Sequence, residues 1–164
     1  YATLNVGDMD NFGLELEASA LPVKNLQIDW TASTSNSEYK KLELFDGNTL
    51  SVKDYKGNKA INNPALQSML AVQYNMPFSK SAQNFKAFIR GEFRYTGEYE
   101  LDFINQYQQD AYGMLNARAG VTSNHFDVAL WVRNLNDVRY MAYGYGAYLM
   151  GSPRMWGITL TGRF

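Results

Sequence analysis

Apolar and polar side chains alternate in steps of two along most of this chain. Near the C-terminal end, Trp156, Ile158 and Leu160 alternate with Gly157 and Thr159. Successive side chains of a β-strand point to opposite faces, so this period predicts strands that each have one apolar face. The same pattern predicts strands over residues 14–20, 26–33, 66–76, 85–96, 114–121, 126–133 and 156–164, with 1–6 as a short eighth strand.

Two observations favour strands over helices. Arg90, Glu92 and Arg94 are spaced two apart, so they share one face of a strand but would be scattered around a helix. Proline cannot donate a hydrogen bond to a sheet ladder and avoids central strands. All four prolines fall at or beyond the predicted strand ends, at Pro22, Pro64, Pro77 and Pro153.

The predicted connections differ in length in a regular way. From the second connection onward, short and long ones alternate, as expected for antiparallel strands in an up-and-down meander. The predicted connections are residues 7–11, 22–25, 40–65, 79–84, 98–110, 123–125 and 137–154.

Strand length and aromatic placement indicate a membrane protein. The segments of about 9–13 residues exceed the usual soluble strand of about 5–6 and match the 9–11 that cross a bilayer at a tilt. Aromatic residues gather near both ends of the strands, like the two girdles of a transmembrane β-barrel. They are Phe78, Phe85, Phe126 and Phe164 at the short-turn end, and Tyr39, Tyr95, Tyr99, Tyr140 and Trp156 at the long-loop end.

The polar face of the predicted strands is charged. In a membrane barrel this face must look inward, where water or polar protein can solvate the charges. The number of ionic groups on this face is larger than a narrow, self-filled barrel of eight strands can easily enclose. The inward set comprises Glu15, Glu17, Asp29, Lys86, Arg90, Glu92, Arg94, Arg118, Asp127, Arg133 and Arg163.

Composition excludes several functions. The 164 residues contain no cysteine, so disulfides, thiol catalysis and cysteine-ligated metals are ruled out. A net charge of -1 gives no basic field for nucleic acid. The only histidine, His125, lies in a predicted turn, and the chain has no nucleophile elbow. The sequence therefore predicts neither an enzyme nor a cofactor or metal site.

The long connections carry the main functional signal. Residues 139–150 contain four tyrosines, and residues 99–112 add further aromatic and amide side chains. Tyrosine combines a flat apolar ring with a hydroxyl group at low entropic cost, which suits ligand contact. The predicted ligand-contacting residues are Tyr99, Tyr107, Tyr140, Tyr143, Tyr145 and Tyr148; packing of the loops on themselves is the alternative explanation.

Five short motifs resemble those of TonB-dependent outer-membrane receptors. Residues 134–140 (NLNDVRY) are similar to the family's penultimate strand ending, and residues 151–157 (GSPRMWG) to its lead into the last strand. The terminal Phe164 is similar to the final aromatic of bacterial outer-membrane barrels. Upstream, residues 13–17 (GLELE) and the Asn63-Pro64 pair resemble two further family motifs, in family order.

The resemblance implies a fold and a location. The family's barrel has 22 strands around an N-terminal plug, so residues 1–164 would be the C-terminal part, about the last eight strands, without the plug and the earlier strands. Tyr1 and the C-terminal Phe164 would lie on the same, periplasmic side of the outer membrane of a Gram-negative cell. The implied partners are outer-membrane lipid, the plug and remaining strands, and TonB, which would bind through the missing part. The barrel-assembly machinery would recognise Phe164 as its signal. A surface lipoprotein is a further possible partner.

The resemblance also implies a function: uptake of a scarce nutrient with energy coupled through TonB. A ferric siderophore is the leading cargo, with cobalamin or an oligosaccharide as alternatives. The inward residues expected to face the lumen or the plug are Glu15, Glu17, Arg90, Glu92, Arg94, Arg118, Asp127 and Arg133.

Three other functions remain open from the sequence. The first is a self-contained eight-stranded barrel of the OmpA or OmpX kind, with a structural or adhesive role, in which residues 1–6 pair with 156–164. The second is a small barrel enzyme that uses Glu15 or Asp127. The third is a soluble lipocalin-like carrier with its apolar face inside.

Overall fold

A computed structural model describes residues 7–77, 85–144 and 148–163, and these residues form strands and connections. No helix among them is long and apolar enough to span a membrane. The strands are β1 (Gly7–Val23), β2 (Leu26–Asp46), β3 (Ser51–Asp54), β4 (Leu66–Pro77), β5 (Lys86–Thr96), β6 (Tyr99–Glu100), β7 (Gln108–Gln109), β8 (Tyr112–Thr122), β9 (Phe126–Arg133), β10 (Met141–Gly144), β11 (Tyr148–Met150) and β12 (Met155–Gly162).

One antiparallel sheet dominates the molecule. Its order is β1-β2-β4-β5-β8-β9-β12, and β3 folds back onto β2 as a hairpin. Two small ladders, β6–β7 and β10–β11, lie in the long connections after β5 and β9. The long strands pair in sequence order, which confirms the predicted meander. β1 and β12 form the two edges, and no described residue pairs them, so the sheet is not closed.

One face of the sheet is apolar and exposed. Cross-strand pairing links a row of six residues on that face: Leu26, Tyr74, Ile89, Ala119, Leu130 and Ile158. Ile89, Leu130 and Ile158 are each more than half exposed. The apolar face is therefore not the inside of a soluble carrier, which removes the lipocalin-like alternative.

The predicted connection at residues 7–11 is wrong. β1 runs without a break from Gly7, which pairs with Leu42 of β2. Gly7 lies at the long-connection end of the sheet, whereas Gly162 pairs with Phe126 at the short-turn end. The expectation that Tyr1 and Phe164 lie on the same side concerns two residues outside the described ones. The predicted strand over 1–6 lies outside them.

β2 is longer than predicted and takes up the start of the expected connection 40–65. Residues 34–41 are polar on both faces, so alternation gives no signal there. Backbone pairing continues nonetheless, with Thr34 opposite Leu14 and Lys41 opposite Asp8. Hydrophobic alternation marks only the part of a strand that has an apolar environment on one face and a polar environment on the other. β1 and β2 extend beyond that part.

Candidate ligand-contacting site

Charged residues collect on the face opposite the apolar one, which we call the polar face. A row of paired residues crosses it from Ser19 through Asp29, Ala71 and Glu92 to Asn116. Glu92 is the centre of an ionic network on this row. Its Oε1 accepts hydrogen bonds from Arg94 Nε at 2.5 Å and from Asn116 Nδ2 at 3.1 Å.

Arg90 joins Glu92 to the neighbouring strands. Its Nη2 lies 3.8 Å from Glu92 Oε2, and its Nη1 lies 3.5 Å from Asp29 Oδ2. Asp29 also accepts hydrogen bonds from Ser19 Oγ and Gln27 Nε2. The network therefore connects β1, β2, β5 and β8 through side chains as well as through the backbone ladder.

Arg118 and Arg133 are placed differently. The guanidinium of Arg118 lies over the Phe88 ring at 5.4 Å, and that of Arg133 over the Trp131 ring at 5.2 Å. Such cation–π contacts stabilise a cation without neutralising its charge. Neither guanidinium forms an ion pair with a carboxylate of the described residues.

These arginines lie in a concave region that we call the basic groove. It has a volume of about 770 Å³, and its charged lining is four arginines against one glutamate. Arg90 and Arg94 are paired with Asp29 and Glu92, whereas Arg118 and Arg133 have no carboxylate partner among the described residues. These two unpaired guanidiniums favour anionic groups in the groove. The lining residues of interest here are Arg90, Glu92, Arg94, Arg118, Arg133 and Tyr140.

The other predicted inward residues lie outside the basic groove. Glu15 and Glu17 line a second concavity with Arg94 near the β1 edge, and they form no ion pair with a described residue. Asp127 pairs with Arg163 at the short-turn end, where Arg163 Nη1 donates to Asp127 Oδ1 at 3.1 Å. Phe164, the predicted assembly signal, lies outside the described residues.

The described parts of the three long connections pack together, and we call residues 47–65, 97–111, 134–144 and 148–154 the outer loop cluster. Asn105 Oδ1 accepts a hydrogen bond from Lys59 N at 2.7 Å, and Asn58 Nδ2 donates to the Phe103 carbonyl at 2.9 Å. Farther along, Met141 N donates to Gln109 Oε1 at 2.7 Å. These bonds join each connection to another, so the cluster is a folded unit.

Two of the predicted tyrosines are packed within this unit. Tyr99 is only 7% exposed, and its hydroxyl donates to the Met141 carbonyl at 2.6 Å. Burial raises the pKa of Tyr99 to about 12, because the phenolate is poorly solvated there. Tyr140 stacks on Tyr112 with ring centroids 4.5 Å apart, and it also lines the basic groove.

Three more of the predicted ligand-contacting tyrosines are exposed. Tyr107 and Tyr148 make an edge contact at 5.7 Å, and about half of each side chain is open to solvent. Tyr143 is 41% exposed on the β10–β11 hairpin. Tyr145 lies outside the described residues. The exposed rings and Tyr140 are thus available for contact with a ligand, whereas the Tyr99 hydroxyl is occupied.

Sequence reasoning missed the role of Asn134. Its side chain is 1% exposed, yet an asparagine that follows a predicted strand normally indicates a solvated loop. Asn134 Nδ2 donates to the carbonyls of Val138 and Ser152, at 2.9 and 3.1 Å. The one available signal was that Asn134 and Ser152 both belong to the family-like motifs.

The fold and the polar face together define a class of protein: part of the wall of a transmembrane β-barrel. The family model for the TonB dependent receptor-like β-barrel matches residues 1–135. The chain belongs to this family, whose members are outer-membrane receptors and not enzymes. In a closed transmembrane β-barrel, the apolar face meets lipid and the polar face lines the lumen.

Solved structures with the same fold are siderophore receptors that are much longer than this chain. The ferric yersiniabactin uptake receptor FyuA from Yersinia pestis is 23% identical, with a TM-score of 0.77 over 95% of this chain and 24% of that one. The siderophore receptor PiuA from Acinetobacter baumannii is 21% identical, with a TM-score of 0.74 over 95% and 22%. BauA, the ferric preacinetobactin receptor of Acinetobacter baumannii, is 16% identical, with a TM-score of 0.73 over 94% and 22%.

Proposed function

We propose that this chain is the C-terminal part of an outer-membrane receptor that takes up a scarce nutrient with energy coupled through TonB. The strands form barrel wall, and the outer loop cluster contacts the nutrient. Family membership over residues 1–135 supports the class. The chain spans about a quarter of the length of the solved relatives, so the plug and the remaining strands belong to the rest of the receptor.

The proposed nutrient is an anionic ferric siderophore. The basic groove bordered by Tyr140 is the observation that supports this choice, because Arg118 and Arg133 line it without a carboxylate partner among the described residues and favour a negatively charged ligand. The exposed aromatic rings of Tyr107, Tyr143 and Tyr148 in the outer loop cluster offer further flat contact area. A neutral oligosaccharide would gain little from the groove, and cobalamin is the second candidate.

The lumen-facing charges have a proposed second role in contacting the plug. Glu15, Glu17, Arg118 and Arg133 form no ion pair within the described chain, so they are available to charged groups of the plug. Glu92, Arg90 and Arg94 satisfy one another and stiffen the wall instead.

The orientation of the chain follows from its connections. Outer-membrane barrels have short periplasmic turns and long extracellular loops. Gly162 lies at the short-turn end, which supports a periplasmic C-terminus and, with it, recognition of Phe164 by the barrel-assembly machinery. The OmpA-like alternative gains no support, because β1 and β12 stay unpaired over the described residues.

Growth under iron limitation tests this function in cells that carry the full-length receptor. We expect growth on anionic ferric siderophores to need both the receptor and TonB, and to fall when Tyr107→Ala and Tyr148→Ala are combined. Tyr74→Ala is the matched control, since Tyr74 is similarly exposed but lies on the apolar face. Growth that is independent of the receptor, or equally reduced by the control, would contradict the proposal.

A further inference from the structure

The root of the last long connection is clamped to the barrel wall. Asn134 Oδ1 accepts a hydrogen bond from Val138 N at 2.9 Å, while its Nδ2 donates to the Val138 and Ser152 carbonyls. Its backbone N donates to Asn116 Oδ1 of β8 at 3.0 Å. One buried amide therefore joins the end of β9, the connection itself and the segment that leads into β12.

A second set of contacts reinforces this root. Asp137 Oδ1 accepts a hydrogen bond from Arg154 N at 3.0 Å, just before β12 begins. Asn134 and Asp137 both adopt the left-handed backbone region, at φ 53° and 52°. Asparagine and aspartate tolerate this conformation better than most residues. Two family-like motifs, residues 134–140 and 151–157, are thus bound to each other.

Tyr140 is fixed by the same arrangement. Its carbonyl accepts a hydrogen bond from Gly151 N at 2.8 Å. Gly151 lies against the phenol ring so closely that any Cβ there would overlap Cζ of Tyr140. The ring also stacks on Tyr112 and borders the basic groove. Glycine at 151 therefore determines where the Tyr140 ring can lie.

We propose that Asn134 and Gly151 are positioning residues that hold Tyr140 at the border of the basic groove and fix the root of the β10–β11 hairpin. Neither residue needs to touch the nutrient. They set the affinity by fixing the Tyr140 ring, which contacts the nutrient. A ring that is already fixed lowers the entropic cost of ordering the loop on binding. The ligand part of this proposal rests on the proposed function; the clamp itself does not.

The clamp is tested without any ligand. The chain has no cysteine, so a nitroxide on Ala142→Cys reports the hairpin in the full-length receptor once cysteines elsewhere are replaced. We expect Asn134→Ala to increase the mobile fraction of the electron paramagnetic resonance spectrum. Asn134→Asp keeps the acceptor for Val138 N but turns a carboxylate oxygen toward the Val138 and Ser152 carbonyls. It should therefore increase the mobile fraction at least as much as Asn134→Ala.

Leu135→Ala is the matched control for that experiment, because the Leu135 side chain is exposed and takes no part in the clamp. Its spectrum should equal that of the parent. An unchanged spectrum in both Asn134 variants, or the same change in Leu135→Ala, would overturn the proposal.

The positioning role is tested with a radiolabelled ferric tris-catecholate, an anionic aromatic chelate. We expect Gly151→Ala and Tyr140→Ala each to weaken binding by about tenfold, equivalent to about 1.4 kcal/mol, with the number of sites per cell unchanged. The double variant should lose no more than either single one, because Gly151 acts through Tyr140. Losses that add, or fewer sites at unchanged affinity, would overturn this role. If the parent receptor does not bind the chelate, the proposed class of ligand is wrong. The spin-label experiment then shows by itself whether the clamp exists.

Discussion

Leu130 of β9 and Ile158 of β12 lie directly opposite each other, and they are 59% and 60% exposed. Ala119 and Ile89 continue the same row across β8 and β5. A contiguous apolar surface of this kind is unfavourable in water. It is stable against lipid, where a closed barrel satisfies the backbone hydrogen bonds internally.

Charge on this row should therefore destabilise the receptor. Leu130→Arg is expected to lower the free energy of unfolding of the full-length receptor in vesicles by about 2–4 kcal/mol, the cost of arginine near the bilayer midplane. Thr159→Arg is the matched control on β12, because Thr159 lines the basic groove, and it should cost far less. Urea titration of both variants measures the difference, and equal costs would count against a lipid-facing row.

A close contact on the polar face leads to a second prediction. A Cβ at Gly157 would lie 2.5 Å from Cζ2 of Trp131, so Gly157→Ala must displace the indole. We expect a loss of about 1–3 kcal/mol in the free energy of unfolding, as for other overpacked sites. Gly91→Ala is the control, since nothing lies within 4 Å of a Cβ there. A neutral Gly157→Ala would show that Trp131 moves freely.

The Glu92 network gives a third prediction. Glu92→Gln keeps the shape but removes the charge that both Arg90 and Arg94 contact. The Glu92 side chain is only 16% exposed, so a loss of about 1–3 kcal/mol in unfolding free energy is expected. Glu98→Gln is the control, because Glu98 contacts Lys59 at 4.0 Å and both side chains are 58% exposed. That change should cost under about 1 kcal/mol, and similar costs for the two variants would contradict a special role for Glu92.

Tyr99 gives a prediction on pH. Burial raises the pKa of Tyr99 from 10.0 to about 12. Because the pKa of Tyr99 is higher in the folded state than in the unfolded state, its contribution to stability is complete at pH values below the unfolded-state pKa. This contribution is lost as the pH rises through the folded-state pKa. Between pH 10 and pH 12, the parent receptor should therefore lose stability more steeply than Tyr99→Phe. If the denaturation midpoints of the parent and of Tyr99→Phe change in parallel over this range, Tyr99 ionises as easily in the folded state as in the unfolded state, which would contradict the prediction.

The membrane-embedded part of the fold was predictable because lipid imposes alternation. Residues 66–76 and 85–96 were predicted as strands, and the structure has β4 at Leu66–Pro77 and β5 at Lys86–Thr96. The outer part of β2, up to Asp46, was not predicted. Both of its faces are polar over residues 34–41, so in that stretch only pairing with β1 reveals the strand.

The site was predictable in residue type but not in arrangement. Arg118 and Arg133 were expected on the inward face, but their ring contacts were not predicted. Arg118 lies over Phe88 of the paired strand β5, and Arg133 lies over Trp131, two residues earlier on the same strand. Tyr99 resembled the other loop tyrosines in sequence. Only the fold of residues 97–111 against the β10–β11 hairpin buries it. Long-range contacts of this kind leave no local periodicity for sequence analysis to detect.

Adjacent residues on β12 test the central claim, which is that the apolar face meets lipid and the polar face meets the lumen. Ile158→Cys and Thr159→Cys are labelled separately with a small fluorophore in the full-length receptor, reconstituted in vesicles that contain lipids brominated along the acyl chain. The account predicts strong quenching of the label at 158 by these lipids and little at 159, with the opposite order for a water-soluble quencher. Equal quenching at both positions, or the reverse order, would contradict it.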